Sequence, residues 1–170
     1  MKALSSLFVL ALLVGCGRPF DIKTGGTFAE LPEQSEVGFD YRAVTPEGVA
    51  VSVSVKEDRE RADLGFWAKA VIMKLRDQDG YALLADDAVK DKHGTPGRRL
   101  RFAREEDKKK VDYRVTLFRA QGRIFVVESG GPHEAFAKSE AEVNAMEESL
   151  AVRCPSVVAP VLASRTCNRW

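Results

Sequence analysis

Val49-Ala50-Val51-Ser52-Val53-Ser54-Val55-Lys56 alternates valine with small or polar residues without a break. Successive side chains of a strand point to opposite faces. The four valines therefore share one face, and the run predicts a strand buried on that side. Upstream, residues 37–44 repeat the pattern, with Phe39, Tyr41 and Ala43 against Gly38, Asp40 and Arg42. Pro46-Glu47-Gly48 between them is a turn cluster, so the two runs predict a hairpin. Downstream, residues 56–61 form a charged connection, and Asp63 can cap a helix start. Leu64, Trp67, Ala68, Val71, Ile72 and Leu75 then recur at the spacing of one helical face. Asp79-Gly80 ends that helix. An apolar stripe of this length must lie against a sheet or another helix.

Three or four further strands are expected beyond it. Residues 81–89 carry Tyr81, Leu83 and Ala85 on one side, and residues 98–104 set Leu100 and Phe102 against Arg99 and Arg101. Residues 105–110 read as a charged loop. Val111, Tyr113, Val115 and Leu117 follow on one face, and residues 124–129 are apolar on both faces, as in a central strand. Gly130-Gly131-Pro132 breaks that strand, and proline suits a helix's first turn. Phe136, Val143, Met146 and Leu150 mark the apolar side of the second helix, with Glu134, Lys138, Glu142, Glu147 and Glu148 assigned to the other. Short links favour antiparallel pairing. The fold class is α+β, an antiparallel sheet of about six strands packed by two main amphipathic helices.

The N-terminus carries a separate message. Lys2 precedes an apolar stretch over residues 7–13. That is short of the roughly 20 apolar residues a membrane-spanning helix needs, and has the length and flank of a secretory signal. Leu13-Val14-Gly15-Cys16 resembles the lipobox of bacterial lipoproteins. The resemblance implies cleavage before Cys16 and acylation of that cysteine. Two or more acyl chains hold a protein firmly to a bilayer, where one holds marginally. Gly17 in place of Asp favours the periplasmic side of the outer membrane in a Gram-negative envelope. The expected organisation is a signal peptide over 1–15, lipidated Cys16 and a tether over 16–28, the folded domain over 29–152, and a tail over 153–170. Cys154 and Cys167 remain, an even pair in a chain bound for an oxidising compartment, and they are expected to form a disulfide.

The 26 basic and 25 acidic side chains almost cancel, and Lys2 lies in the leader, which leaves 25 of each. Such a balance excludes a nucleic-acid binder of the usual basic kind.

The order of elements and several local stretches resemble the PsbP-like fold. It is shared by a lumenal subunit of the photosynthetic oxygen-evolving complex, a Ran-binding nuclear import factor, and small bacterial lipoproteins and secretion chaperones. The stretches are Ala50-Val51-Ser52-Val53, Asp79-Gly80-Tyr81, Gly94-Thr95-Pro96-Gly97-Arg98-Arg99-Leu100, Tyr113-Arg114-Val115-Thr116-Leu117-Phe118, Arg123-Ile124-Phe125-Val126-Val127-Glu128 and Pro132-His133-Glu134-Ala135-Phe136. They are turn and core signals, not catalytic ones. The resemblance implies an α/β/α sandwich that serves as a binding module or assembly factor. Metal sites of photosynthetic members do not carry over, since no matching ligand cluster is present.

Candidates for chemistry are few. His93 and His133 are the two histidines, and neither has further ligands at metal-binding spacing. Ser129-Gly130-Gly131 near His133 lacks the nucleophile-elbow pattern, and glycine's freedom in a strand-to-helix turn explains it. Asp86 and Asp87 are neighbours on a strand and point apart. Glu128 is either a buried acid near Arg99, Arg101 or Arg114, or the point where its strand meets water. The cluster Arg98, Arg99, Arg101, Arg104 and Lys108 to Lys110 is diluted by Asp91, Glu105, Glu106, Asp107 and Asp112, as on a solvated hairpin. No catalytic, cofactor or metal residues are assigned. The expected function is a non-enzymatic, membrane-anchored envelope lipoprotein that binds a partner protein or supports assembly of an envelope complex. The alternative is a small-ligand binder or minor hydrolase with a pocket between sheet and helix.

Overall fold

The computed structural model describes residues 18–32 and 38–153. The expectations at 1–15, Cys16, Val37, Cys154 and Cys167 lie outside the described residues. The elements run β1 (Phe20–Asp21), β2 (Ala29–Glu30), β3 (Tyr41–Val44), β4 (Ala50–Glu57), α1 (Leu64–Met73), β5 (Ala82–Lys90), β6 (Pro96–Glu106), β7 (Lys109–Ala120), β8 (Arg123–Pro132), α2 (His133–Ser149) and β9 (Ala151–Val152). A π-helical turn over Lys74–Gln78 extends α1.

The main sheet has seven strands in the order β2-β3-β4-β8-β7-β6-β5, one more than the six or so expected. The added strand is β2, whose two residues pair with β3 and are too few to show a period. Every pair is antiparallel. Val51 and Val53 are fully buried, and β8 pairs with both β4 and β7, as its doubly apolar sequence predicts. Residues 105–110 are a tight continuation of the β6–β7 hairpin, turning at Asp107 and Lys108, both at positive φ.

Each face of the sheet carries one helix. Asp63 caps α1, its Oδ1 accepting from the Phe66 N–H at 2.7 Å. Under α1 lie Leu100, Phe102, Val115, Leu117 and Ile124. Under α2 lie Val51, Val53, Phe125, Val127 and, from the helix, Val143 and Met146. Both cores are closed: these residues are at most 3 % exposed.

The tether boundary moves. Residues 18–28 belong to the fold. Phe20 pairs with Val152 in a two-stranded ribbon of β1 and β9, and Phe20 and Phe28 are buried in the α2 core. The Thr27 N–H donates to Glu142 on α2 at 3.0 Å, so α2 fixes this segment along its length. Two aromatics in a polar, glycine-containing stretch bury enough apolar surface to dock it.

Candidate functional site

A groove lies on the α1 face. α1 covers the β6–β7 side of the sheet, and its π-helical turn carries Leu75 down into the core while the chain returns through Asp79. The Tyr81 N–H donates to the Leu75 carbonyl at 2.9 Å, which closes this exit. π turns often sit at functional sites. Here it leaves a hollow of about 390 Å³ between helix and sheet. Val71, Leu75, Val115 and Val126 form its apolar part, and Tyr81, Tyr113, Arg104 and Glu128 its polar part.

The polar part is tightly tied. The Tyr113 hydroxyl donates to Glu128 Oε1 across the β7–β8 pair. Burial and then the charge of Glu128 raise the Tyr113 pKa well above its usual 10.0, so the hydroxyl stays protonated. The Tyr81 ring packs on Tyr113 with centroids 5.5 Å apart. The Arg104 guanidinium lies 4.8 Å from the Tyr81 centroid and donates to the Asp79 carbonyl at 3.2 Å. Lys74 and Asp79 form an ion pair at 2.6 Å across the rim.

Tyr113 and Glu128 also border a second, smaller hollow of about 180 Å³ with Phe39, Arg42, Ser52 and Gly130. The two hollows thus make one groove along the uncovered part of the sheet, with the Tyr113–Glu128 bond at its middle. Gly130 permits the ring position, because a Cβ there would lie 2.8 Å from Tyr113 Cδ2 and 2.9 Å from the Asp112 carbonyl. Beside the groove, Phe66 and Met73 on α1 are each 53 % exposed.

The opposite face holds a buried charge cluster that the helix pattern misassigned. Glu147 is buried, not on the solvent side of α2. It follows Val143 by four residues, which puts it beside that buried side chain on the helix surface. Its carboxylate accepts from the Ser129 hydroxyl at 2.9 Å and faces Arg114 at 3.5 Å and Arg99 at 2.9 Å. Arg114 also donates to Asn144 at 2.7 Å and Glu140 at 3.2 Å. This set explains why Arg99 and Arg114 alternate with apolar residues on strands that α2 covers.

The other expected candidates separate. Ser129 is 1 % exposed and donates to a carboxylate, so it is closed to substrate. His133 Nδ1 lies 2.8 Å from Asp112 at the exposed start of α2. His93 Nδ1 lies 3.4 Å from the Val152 carbonyl. Glu128 is half-buried on the α1 side, facing away from Arg99, Arg101 and Arg114, because it sits opposite Val115 in the ladder. Asp86 pairs with Arg98, and Asp87 lies 3.6 Å from Arg101. Among the described residues no three His, Cys, Asp or Glu side chains gather as a metal site. The lining of the larger hollow contains no serine, cysteine or histidine. Its donors and acceptors can orient a bound group, and its one hydroxyl–carboxylate pair, Tyr113 and Glu128, is held together by a hydrogen bond.

Among the described residues no helix is long and apolar enough to cross a membrane. No protein-family model and no curated protein matches the sequence. Solved structures do match. The chain is similar to LpqN of Mycobacterium tuberculosis, described as involved in cell envelope biogenesis, with TM-score 0.59 and 14 % identity over 77 % of this chain and 81 % of that one. It is similar to the cyanobacterial PsbP protein of Synechocystis, with TM-score 0.53 and 11 % identity over 84 % and 98 %. A mutant of Mog1 matches with TM-score 0.51 and 13 % identity over 79 % and 90 %. With an antiparallel sheet between two helices and these structural neighbours, the chain has the PsbP-like fold.

Proposed function

We propose that this protein is a lipid-anchored envelope protein whose domain binds a partner protein along the α1 groove and runs no reaction of its own. The observation that carries this reading is the groove itself. It is open and partly apolar, and it is lined by side chains already committed to each other. The description of LpqN, a neighbour in fold, as an envelope-biogenesis protein supports the setting. Acylated Cys16 supplies the anchor in this reading, and a Cys154–Cys167 disulfide closes the tail. Mass spectrometry of the mature N-terminus tests the anchor, and an unmodified Cys16 removes it. For the partner, a photo-crosslinking residue at Phe39 in the intact envelope should yield one discrete adduct. The same residue at Lys138, on the exposed side of α2, should not. Equal adducts at both positions, or none at Phe39, reject the groove as the docking face.

One observation favours a small ligand. The hollow of about 390 Å³ lies within the range typical of small-molecule sites, and two tyrosines and a carboxylate converge in it. Native mass spectrometry of protein released gently from membranes separates the readings. A stoichiometric adduct that Val115→Trp abolishes would indicate a ligand pocket.

A further inference from the structure

We infer that the end of the sheet carrying the β5–β6 and β7–β8 turns rests on the lipid headgroups, and that the groove opens away from them. This rests on the anchor reading above. The Pro19 carbonyl accepts from the Arg153 N–H at 2.8 Å, and Phe20 is paired and buried, so the backbone is held by the fold from residue 19 onward. Only Gly17 and Arg18 separate Cys16 from Pro19, a distance of three residue steps. A chain spans at most about 3.6 Å per residue, so the anchor lies within about 11 Å of that point. A tether of a dozen residues would let the domain turn freely. Two residues do not.

The position of Pro19 in the sheet is fixed by β9. The Val152 N–H donates to Asp91 at 2.9 Å, and the Lys92 N–H donates to the Leu150 carbonyl at 2.9 Å. Asp91 and Lys92 belong to the β5–β6 turn. The β7–β8 turn lies at the same end, since Gly97 at the start of β6 pairs with Phe118 near the end of β7. The connection after β4 joins them through Asp58, whose N–H donates to the Gly122 carbonyl. This end presents exposed Arg61, Lys90, Lys92 and Arg123, with Glu60, Asp63 and Glu148 as exposed acids. Arg153 is neutralised by Asp21, and Arg59 by Glu57. The opposite end holds the turns at 46–48 and 107–108 and the start of α2, where Glu47, Glu105, Asp107 and Glu134 accompany Lys108, Lys109 and Lys110. The two ends differ little in charge, so the short tether sets the orientation, and the exposed basic side chains at the anchor's end can meet anionic headgroups. β7 has 12 residues, so the far turn stands about 40 Å from the near one. Arg104, Tyr113 and Glu128 of the groove lie toward that far end of their strands.

The test uses the full acylated protein in nanodiscs of phosphatidylethanolamine and phosphatidylglycerol, with a small fraction of lipid bearing a gadolinium headgroup. Amide NMR signals from 59–61, 92–94 and 121–123 should be attenuated at least threefold more than those from 46–48 and 107–108. Inserting 20 Gly/Ser residues between Gly17 and Arg18 should bring that ratio close to one. Equal attenuation in the natural acylated chain, or stronger attenuation at 107–108, overturns the orientation and leaves the anchor intact. A Cys16 found unacylated by mass spectrometry overturns both.

Discussion

Glu147 is the residue whose loss should cost most for its size. It is one of two carboxylates reaching Arg114, it is the one facing Arg99, and its side chain is 3 % exposed. Removing one partner from a buried ion pair leaves an uncompensated charge, at about 3–5 kcal/mol. Glu147→Ala should lower unfolding stability by that amount in urea titration. Replacing Glu147 and Arg114 together by Leu and Met should recover much of it. A loss below about 1 kcal/mol in Glu147→Ala would mean that Glu140 and Asn144 already satisfy Arg114. Tyr113 makes a second residue-level prediction, through pH. Its folded pKa is raised, first by burial and then by Glu128, while the unfolded chain titrates near 10.0. Above that pH the unfolded state releases a proton that the folded state keeps, so stability falls as pH rises. Tyr113→Phe should flatten that alkaline decline, measured as the urea midpoint from pH 8 to 11. Asp58 acts at the other extreme. Burial pushes its pKa up, but hydrogen bonds from Arg119 and Trp67 outweigh this and hold it below 3.8. Its stabilisation is present above 3.8 and is lost as pH falls through the lower folded value. Asp58→Asn should therefore weaken the fold at pH 7 and blunt its acid dependence.

At the scale of elements, the sequence was most legible where a period ran long enough. β4, β7, β8 and the apolar stripe of α1 lie within a few residues of their expected bounds, since eight or more residues reveal a period of 2 or 3.6. β1, β2 and β9 have two residues each and show none. Phe20 and Phe28 were the available signal, as aromatics in a stretch otherwise suited to a tether. The charged face of α2 was half legible. Spacing from Val143 pointed to Glu147, yet its charge argued for water, and only Arg99 and Arg114 on the facing strands resolve the conflict. The groove was not legible, because it depends on the π-helical turn and on how far α1 reaches across the sheet. The β1–β9 ribbon carries its own prediction. Phe20→Ala removes a large side chain that is 2 % exposed, and such truncations cost about 3–5 kcal/mol. The loss should be accompanied by faster amide exchange at Thr27 and Val152. Unchanged exchange there would show that Thr27–Glu142 holds the segment without Phe20.

At the scale of the molecule, one sheet serves two cores that do not touch each other. Ile124 and Phe125 are neighbours on β8, yet they belong to opposite cores. Strain on one face therefore reaches the other through the strand backbone, not through packing. Side chains on the two faces stand far enough apart for their energies to add, within about 0.5 kcal/mol. The ladder from β2 to β5 nevertheless has to form or dissolve as a unit, because its central strands are hydrogen-bonded on both sides. Ile124→Val should cost about 0.5–1.5 kcal/mol and Met146→Ala about 2–5 kcal/mol. The double variant should lose their sum in a single urea transition followed by both fluorescence and circular dichroism. Two separated transitions would show that the helix faces melt independently. The sheet would then be a scaffold for two sub-domains, and a partner in the α1 groove could stabilise only its own side. A single transition makes the groove, the buried Glu147 cluster and the β1–β9 end one cooperative body. Any ligand of the groove then raises the stability of the whole domain by mass action.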